Sequence, residues 1–418
     1  MQAHVLVSHP VARIQGELCV PGDKSISHRA LMLGAISDGI TRVEHFLESE
    51  DCLATLHILR ALGVRIDKLS DGVITIYGVG LHGLKQPEKI LDCGNSGTSM
   101  RLLAGLLAGQ AFDSELTGDA SLLKRPMERI RVPLMLMGAD ISTQDGGRAP
   151  LLIHGGKTLQ AIDYMMPVAS AQVKSSILLA GLYAHGNTHV REPHVTRDHT
   201  ERMLRTFLSQ DMHIKIPGDL SSAAFFIVAA SLVPGSELML RNVGVNPTRT
   251  GVIQILQAMG ADITLEKTRM YGEEPVADIV VRHALLKGID IAENMVSLSI
   301  DEFPVLFIAA AMASGTTRIF GAEELRHKES DRIRVMAEGL KQLGINIIEE
   351  TDSIVIEGGE IHGGVVDSYA DHRVAMAFLV AGAVAHAKIR VLNAEAISTS
   401  FPNFVDTFSQ IGGQVAPD

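Results

Sequence analysis

As a pattern of apolar and polar positions, the chain repeats one short motif: an apolar helix end, a glycine, then alternating residues of strand type. It recurs as LRALGVRI from Leu59, LMLMGADI from Leu134, LQAMGADI from Leu256, LKQLGINI from Leu340 and FSQIGGQV from Phe408. Gly63, Gly138, Gly260, Gly344 and Gly412 stand where a helix commonly ends in a left-handed residue, so each is predicted to adopt positive φ. A sixth copy is expected near LRTFLSQD from Leu204, with Leu208 in the glycine's place and no clean strand after it. About one strand pair's worth of sequence is missing between Phe207 and Pro217, judged by usual strand lengths.

A second repeat divides the chain in two. PGDKS at 21–25 returns as PGDLS at 217–221, each ahead of a helix of small residues. MRLLAGLLAG from Met100, SSILLAGLYA from Ser175, FPVLFIAAAMA from Phe303 and RVAMAFLVAGAVA from Arg373 are apolar on nearly every face, which predicts buried helices. The predicted fold class is α/β with two lobes, each of three sheet-and-helix units around buried helices, with an ordinary doubly wound α/β sheet as the alternative.

Composition narrows the function classes. With 418 residues, 46% of them apolar, the chain can build a large core. No uninterrupted apolar run approaches the ~18 residues a membrane helix needs, and the first residues lack a signal peptide's layout, so a cytoplasmic protein is expected. Cys19, Cys52 and Cys93 form no CxxC pair and are odd in number, which points to buried, inert thiols rather than disulfides or a zinc site. A net charge of −11, no basic stripe, no Trp and 4% aromatics argue against nucleic-acid binding. An anionic ligand must therefore meet cations gathered locally.

Those cations cluster at predicted helix starts, where unpaired N–H groups and a partial positive charge suit phosphates and carboxylates. In PGDKSISHR, Asp23 is a plausible cap, Lys24 and Ser25 enter the helix, and Arg29 shares a face with Ser25. CGNSGTSMR offers a small turn around Ser96, Gly97 and Thr98 ahead of an apolar helix. In GDASLLKRPMERIRVP, Arg125 precedes Pro126 and is expected to be held extended, with Pro126 placed to start a helix. VASAQVKSS adds Ser170 and Gln172. SIDEFPVLF puts Asp301 at an expected strand end and helix cap, ELRHKESDRIRVM adds Lys328, Glu329 and Arg332, with Lys328 and Arg332 expected one helical turn apart, and YADHRVAMAFL adds Asp371, His372 and Arg373. Each segment alone also fits a capped, solvated helix end, and no spacing suits a metal.

Together, DKSISHR, GNSGTSMR, KRPM, SAQVKSS, TRDHTERML, GDLSSAAFF, DEFPVLFIAAA, LRHKESDR and DHRVAMAF, in this order over nearly the whole chain, closely resemble the 3-phosphoshikimate 1-carboxyvinyltransferase (EPSP synthase) family. The resemblance implies an inside-out α/β barrel of two lobes, each of three βαβαββ units. Residues 22–218 would form one lobe and 1–21 with 219–418 the other, with the active site in the cleft between them. It implies transfer of the enolpyruvyl group of phosphoenolpyruvate to the 5-hydroxyl of shikimate 3-phosphate, through a tetrahedral intermediate that expels phosphate, by a monomer without metal or organic cofactor.

Carried over position by position, Lys24, Ser25, Arg29, Ser170, Gln172, Asp301 and Lys328 would hold shikimate 3-phosphate, as would Thr196 and Arg197. Lys24, Gly97, Arg125, Gln172, Arg332 and Arg373 would line the phosphoenolpyruvate site. Asp301 would accept the hydroxyl proton, and Lys24 or Glu329 would handle the methyl proton. The chain departs from many members at Ala171, where a second Ser is common, and from some at Thr399, where a Lys occurs. Gly97 is expected to leave room for the inhibitor glyphosate, which members with Ala there exclude. The related UDP-N-acetylglucosamine enolpyruvyl transferases use a loop Cys, and none occurs between Gly118 and Pro133. A catalytically silent sugar-phosphate-binding relative is the other alternative.

Overall fold

The computed structural model describes residues 5–207 and 211–418. Among them are five four-stranded sheets and one two-stranded sheet. The four-stranded sheets share one plan: a parallel edge pair, then two antiparallel pairings, the last of which is a hairpin in all but the sheet that joins Val5–His9 to Gln414–Pro417. In one, Leu91–Asp92 runs parallel to Ser114–Thr117, which pairs with Arg148–His154, which in turn pairs with Asp140–Gln144.

The glycine-ended repeat is the joint of this plan. Gly63, Gly138, Gly260, Gly344 and Gly412 have φ of 89°, 99°, 98°, 93° and 103°. Each directly follows the last turn of a helix, and the chain then enters an antiparallel strand. A residue with a Cβ would be strained at such φ, so glycine is what lets the helix turn sharply into a strand.

The sixth copy differs. Its sheet has only the parallel pair Asp163–Met165 and His189–Arg191 among the described residues, without the antiparallel pairings the others carry. A strand does follow, contrary to expectation: Met212–Lys215 runs parallel to Ile40–Glu44 and completes a different sheet. Leu208 lies outside the described residues.

The chain divides into two compact units. One comprises the stretch up to Pro21 with 217–270 and 275–418, and the other comprises 22–216 with 271–274. The four residues 271–274, the tip of the hairpin Asp262–Tyr271 and Glu274–Arg282, belong to the second unit. There Arg202 donates to the Glu273 carbonyl at 2.7 Å, and His199 Nδ1 lies 2.7 Å from Glu274 Oε1.

Each unit has its own apolar core, and burial of that surface is the main force holding it. Three helices of small and apolar residues run through each core. In the second unit these are Lys24–Ile36, Gly97–Leu107 and Ala171–Gly181; in the first they are Leu220–Leu232, Phe303–Ala311 and His372–Val384. Every residue of Leu220–Leu232 and of Phe303–Ala311 is buried, as their uniform apolarity predicts. Among the described residues no single helix is long and apolar enough to cross a membrane. Cys52 and Cys93 are buried, and burial pushes both thiols up from the ordinary value. Cys19 is exposed, because its side chain follows Leu18 on the outward side of the strand end, so the expectation of three buried thiols fails there.

Candidate active site

The residues singled out from sequence fall into two sets, one in each unit, and most sit at the N-terminal ends of the six central helices.

In the second unit, Asp23 caps the helix Lys24–Ile36 by accepting from the Ile26 N–H at 2.9 Å. Lys24, the first helical residue, pairs with Asp51 at 2.9 Å. Arg29 is buried, and its guanidinium is fixed on three sides. Nε donates to Thr200 Oγ1 at 2.7 Å, one terminal nitrogen to the Ser25 carbonyl at 2.8 Å and the other to Ser175 Oγ at 2.7 Å. Ser25 and Arg29 thus meet through backbone, which leaves the Ser25 hydroxyl uncommitted to Arg29. Burial pushes the Arg29 guanidinium down to about 10, opposed by Asp23 and Glu201, and it remains charged at neutral pH. His28 is held well below the ordinary histidine range by burial and by the charges of Lys24 and Arg29, so it is a neutral neighbour.

Ser96 caps the helix Gly97–Leu107. A Cβ on Gly97 would lie 2.8 Å from a terminal nitrogen of Arg101 and 3.1 Å from one of Arg125, so this glycine lets two guanidinium groups close on the helix start. Arg125, at φ −75° and ψ 141°, is extended as a residue before proline should be, and its NH2 donates to Asn95 Oδ1 at 3.2 Å. Pro126 does not begin a helix, however. It bridges to Arg148, and the helix starts two residues later at Glu128. Arg101 donates to Gln172 Oε1 at 2.7 Å, and Gln172 Nε2 donates to Thr98 Oγ1 at 3.0 Å. Gln172 is thereby aligned with the Gly97 helix start from the first turn of its own helix, which Ser170 caps.

Thr196 is buried and donates from both N–H and hydroxyl to Glu192, whose carboxylate also meets Lys174 at 3.0 Å. Arg197 lies close enough for its charge to act on Arg29. Asp51, Arg101, Lys174, Ser175, Glu192 and Thr200 are members of this cluster that the sequence did not single out for the site.

The first unit holds the acidic and basic groups of the other set. Asp301 does not end a strand or cap a helix. The stretch before it is the helix Glu293–Ser299, and Asp301 stands in the turn ahead of Phe303–Ala311, where Glu302 occupies the cap position. The apolar alternation of that stretch was satisfied by one helical face instead of a sheet. Arg332 NH1 donates to Asp301 Oδ1 at 3.4 Å, and Arg373 NH2 lies 3.8 Å from Asp301 Oδ2. Arg332 also donates to Asp371 Oδ2 at 2.9 Å and to Glu329 Oε2 at 2.6 Å. Burial acts to lower its pKa, but the carboxylates Asp371, Glu329 and Asp301 outweigh it, and the guanidinium is held above its ordinary value.

Asp371 is the organiser here. Fully buried, it caps the helix His372–Val384 by accepting from the Arg373 N–H at 3.0 Å and also accepts from Ser330 Oγ at 3.0 Å. Lys328 and Arg332 do not lie one turn apart on one helix. Lys328 closes the short 3-10 turn Glu323–His327, and Arg332 opens the helix Arg332–Gln342. Burial pushes the Lys328 ammonium below the ordinary lysine value, with Asp301 opposing. Thr399 bonds locally to the Ala396 carbonyl.

Chemically, the second unit offers several cations and helix N-termini suited to phosphate and carboxylate. The first offers a carboxylate held between two guanidinium groups, beside a lysine and a second carboxylate. That inventory suits proton transfer to and from anionic substrates.

Whole-chain comparisons point to one family. Residues 8–408 match the family model of EPSP synthase (3-phosphoshikimate 1-carboxyvinyltransferase). The chain is 57% identical over 426 residues to the 3-phosphoshikimate 1-carboxyvinyltransferase of Legionella pneumophila (strain Philadelphia 1), covering 98% of each. It is 55% identical over 425 residues to that of Methylococcus capsulatus (strain Bath), covering 98% of this chain and 97% of the relative. A solved EPSP synthase from Acinetobacter baumannii superposes with a TM-score of 0.87 at 50% identity, covering 99% of both chains. The enolpyruvyl transferase NikO from Streptomyces tendae shares the fold, with a TM-score of 0.78 at 16% identity over 99% and 98% of the chains.

Proposed function

The chain belongs to the EPSP synthase family, and from that premise we propose how its two sets of residues divide the family's reaction. The enzyme transfers the enolpyruvyl group of phosphoenolpyruvate to shikimate 3-phosphate in the shikimate pathway that leads to the aromatic amino acids. The UDP-N-acetylglucosamine alternative is not favoured, since relatives at 55–57% identity are 3-phosphoshikimate 1-carboxyvinyltransferases.

In this reading shikimate 3-phosphate is held by Lys24, Ser25, Arg29, Ser170, Gln172, Thr196 and Arg197, with Lys328 and Asp301 on its reacting side. Phosphoenolpyruvate is held by Lys24, Gln172, the backbone at Gly97, and the guanidinium groups of Arg125, Arg332 and Arg373. Several cations are needed because the phosphate and carboxylate of phosphoenolpyruvate together carry about three charges at neutral pH. Asp301 takes the proton of the 5-hydroxyl as it attacks C2. Lys24 and Glu329 are the groups able to deliver a proton to C3 and remove it when phosphate leaves. The residues from 22 to 218 act as the shikimate 3-phosphate lobe, with 1–21 and 219–418 as the other. The protein acts as a cytoplasmic monomer.

The observation that carries this reading is the Asp301 carboxylate set between Arg332 and Arg373, 3.4 and 3.8 Å away. Two guanidinium groups favour its ionised form, the form that accepts a proton. A phosphate-release assay with both substrates, run on wild type and Asp301→Asn, tests it. Wild type should liberate phosphate only when both substrates are present, and the variant should be slowed by about 10²-fold or more. An Asp301→Asn enzyme at the wild-type rate would end the base assignment.

A further inference from the structure

Five of the six central helices begin at, or one or two residues beyond, a residue given a role above. The exception is Leu220–Leu232, the helix opened by the second PGD motif. Its Asp219 and Ser221 are engaged with protein. Asp219 caps it by accepting from the Ser221 N–H at 2.9 Å, and Asp219 Oδ1 also accepts from Arg249 NH2 at 3.1 Å. Ser221 Oγ accepts from the same Arg249 nitrogen at 2.7 Å and donates to Glu302 Oε1. Arg249 and Glu302 are themselves 3.9 Å apart. Their exposures are 6% for Asp219, 2% for Ser221, 3% for Arg249 and 1% for Glu302.

Where the first copy of the motif places Lys24 and Ser25 at a ligand site, the second thus closes on a buried carboxylate. Glu302 is the residue next to Asp301. Its side chain does not cap the helix it precedes, so helix stability does not explain it. The other flank of Asp301 is held by the same loop that carries Arg249. A Cβ on Gly251 would lie 2.8 Å from Leu298 Cβ and 2.9 Å from its backbone, so Gly251 seats the helix Glu293–Ser299 that leads into Asp301. The segment from Arg249 to Gly251 therefore lies against Glu302 on one side of Asp301 and against Leu298 on the other.

We propose that Arg249 and Glu302, bridged by Ser221, are positioning residues for Asp301: the buried pair fixes the turn so that the neighbouring carboxylate stays aimed between Arg332 and Arg373. This rests on the reading of Asp301 as the base. A buried charge pair is a poor device for stability alone, because desolvation offsets most of its attraction. It is a good device for direction, since a catalytic group displaced by about 1 Å can lose about 10²-fold in rate.

The test is a double-mutant cycle on phosphate release, with Tm and both KM values measured for every variant. Glu302→Gln should lower kcat by about tenfold or more, with KM for phosphoenolpyruvate within about twofold of wild type, because Asp301 is not among the residues that hold that substrate. In an Asp301→Asn background the same substitution should cost no further rate, since the group it positions is gone. Equal fold-losses in both backgrounds would show a role independent of Asp301 and overturn the proposal, as would a Glu302→Gln enzyme at the wild-type kcat. If Glu302→Gln does not fold, Ser221→Ala, which removes one buried oxygen, carries the cycle with the same outcomes at about threefold or more. Asp301→Asn at full rate would instead remove the base assignment and this proposal with it. Asp301→Asn slow and Glu302→Gln unaffected would remove the proposal alone.

Discussion

Arg332 and Asp371 form a buried pair in which guanidinium Nε donates to carboxylate Oδ2 at 2.9 Å, with exposures of 1% and 0%. The same carboxylate caps the helix that begins with His372 and Arg373. One aspartate thus sets the position of two of the proposed phosphoenolpyruvate-binding cations, one through its side chain and one through its backbone N–H.

Removing it should cost stability before it costs chemistry. Asp371→Ala leaves a buried guanidinium short of a partner and a helix without its cap, which predicts a loss of about 3–5 kcal/mol. Urea denaturation checks this. A midpoint unchanged from wild type would mean that Glu329 and Asp301 compensate for the loss.

Gly97→Ala presses a methyl group toward Arg101 and Arg125, at 2.8 and 3.1 Å. Both contacts are to the far ends of flexible side chains, so the fold should tolerate it, while the cations are displaced from the helix start. KM for phosphoenolpyruvate should rise about tenfold, worth ~1.4 kcal/mol, with KM for shikimate 3-phosphate and Tm nearly unchanged. Glyphosate inhibition should weaken in parallel. Steady-state kinetics with each substrate varied would test both, and equal inhibition of the two proteins would show that Gly97 does not govern inhibitor access.

Thr200→Val removes the oxygen that receives Arg29 Nε at 2.7 Å and that donates to Ser175 at 2.7 Å. Valine keeps the shape but leaves a buried N–H without its acceptor, a cost of about 1–3 kcal/mol. Arg29 should turn from its present direction, and calorimetric titration should show shikimate 3-phosphate bound about tenfold more weakly or worse. Retained affinity would mean that the Ser25 carbonyl and Ser175 suffice to aim the guanidinium.

The Lys328 ammonium is pushed below the ordinary lysine value of 10.5 by burial. Loss of its proton removes a positive charge, so binding of the anionic substrate should weaken as pH rises. In the free enzyme that weakening begins at lower pH than an exposed lysine would give. Calorimetric affinities for shikimate 3-phosphate measured from neutral to alkaline pH should show this limb in wild type and not in Lys328→Met. A limb of the same position in the variant would assign the titration to another group.

Much of the architecture was legible because it rests on rules that act over a few residues. Five glycines marked five helix ends, since only a residue without Cβ turns there without strain, and all five have positive φ. Uniform apolarity marked the buried helices, and the extended backbone of Arg125 followed from Pro126. Where local rules gave two answers, the sequence misled: the stretch before Asp301 reads as a strand by alternation and is a helix, and Pro126 could open a helix but bridges a strand instead.

The sequence by itself determined the repeat, the glycine joints, the helix starts at which charge collects, and the family to which their order belongs. The partnerships were decided only in three dimensions. Arg29 meets Thr200 across 171 residues, Arg332 meets Asp371 across 39, and Ser221 meets Glu302 across 81. Backbone preferences are local and can be read along the chain, whereas a guanidinium is directed by whichever oxygen atoms the closed sheets and packed helices bring within about 3 Å of it.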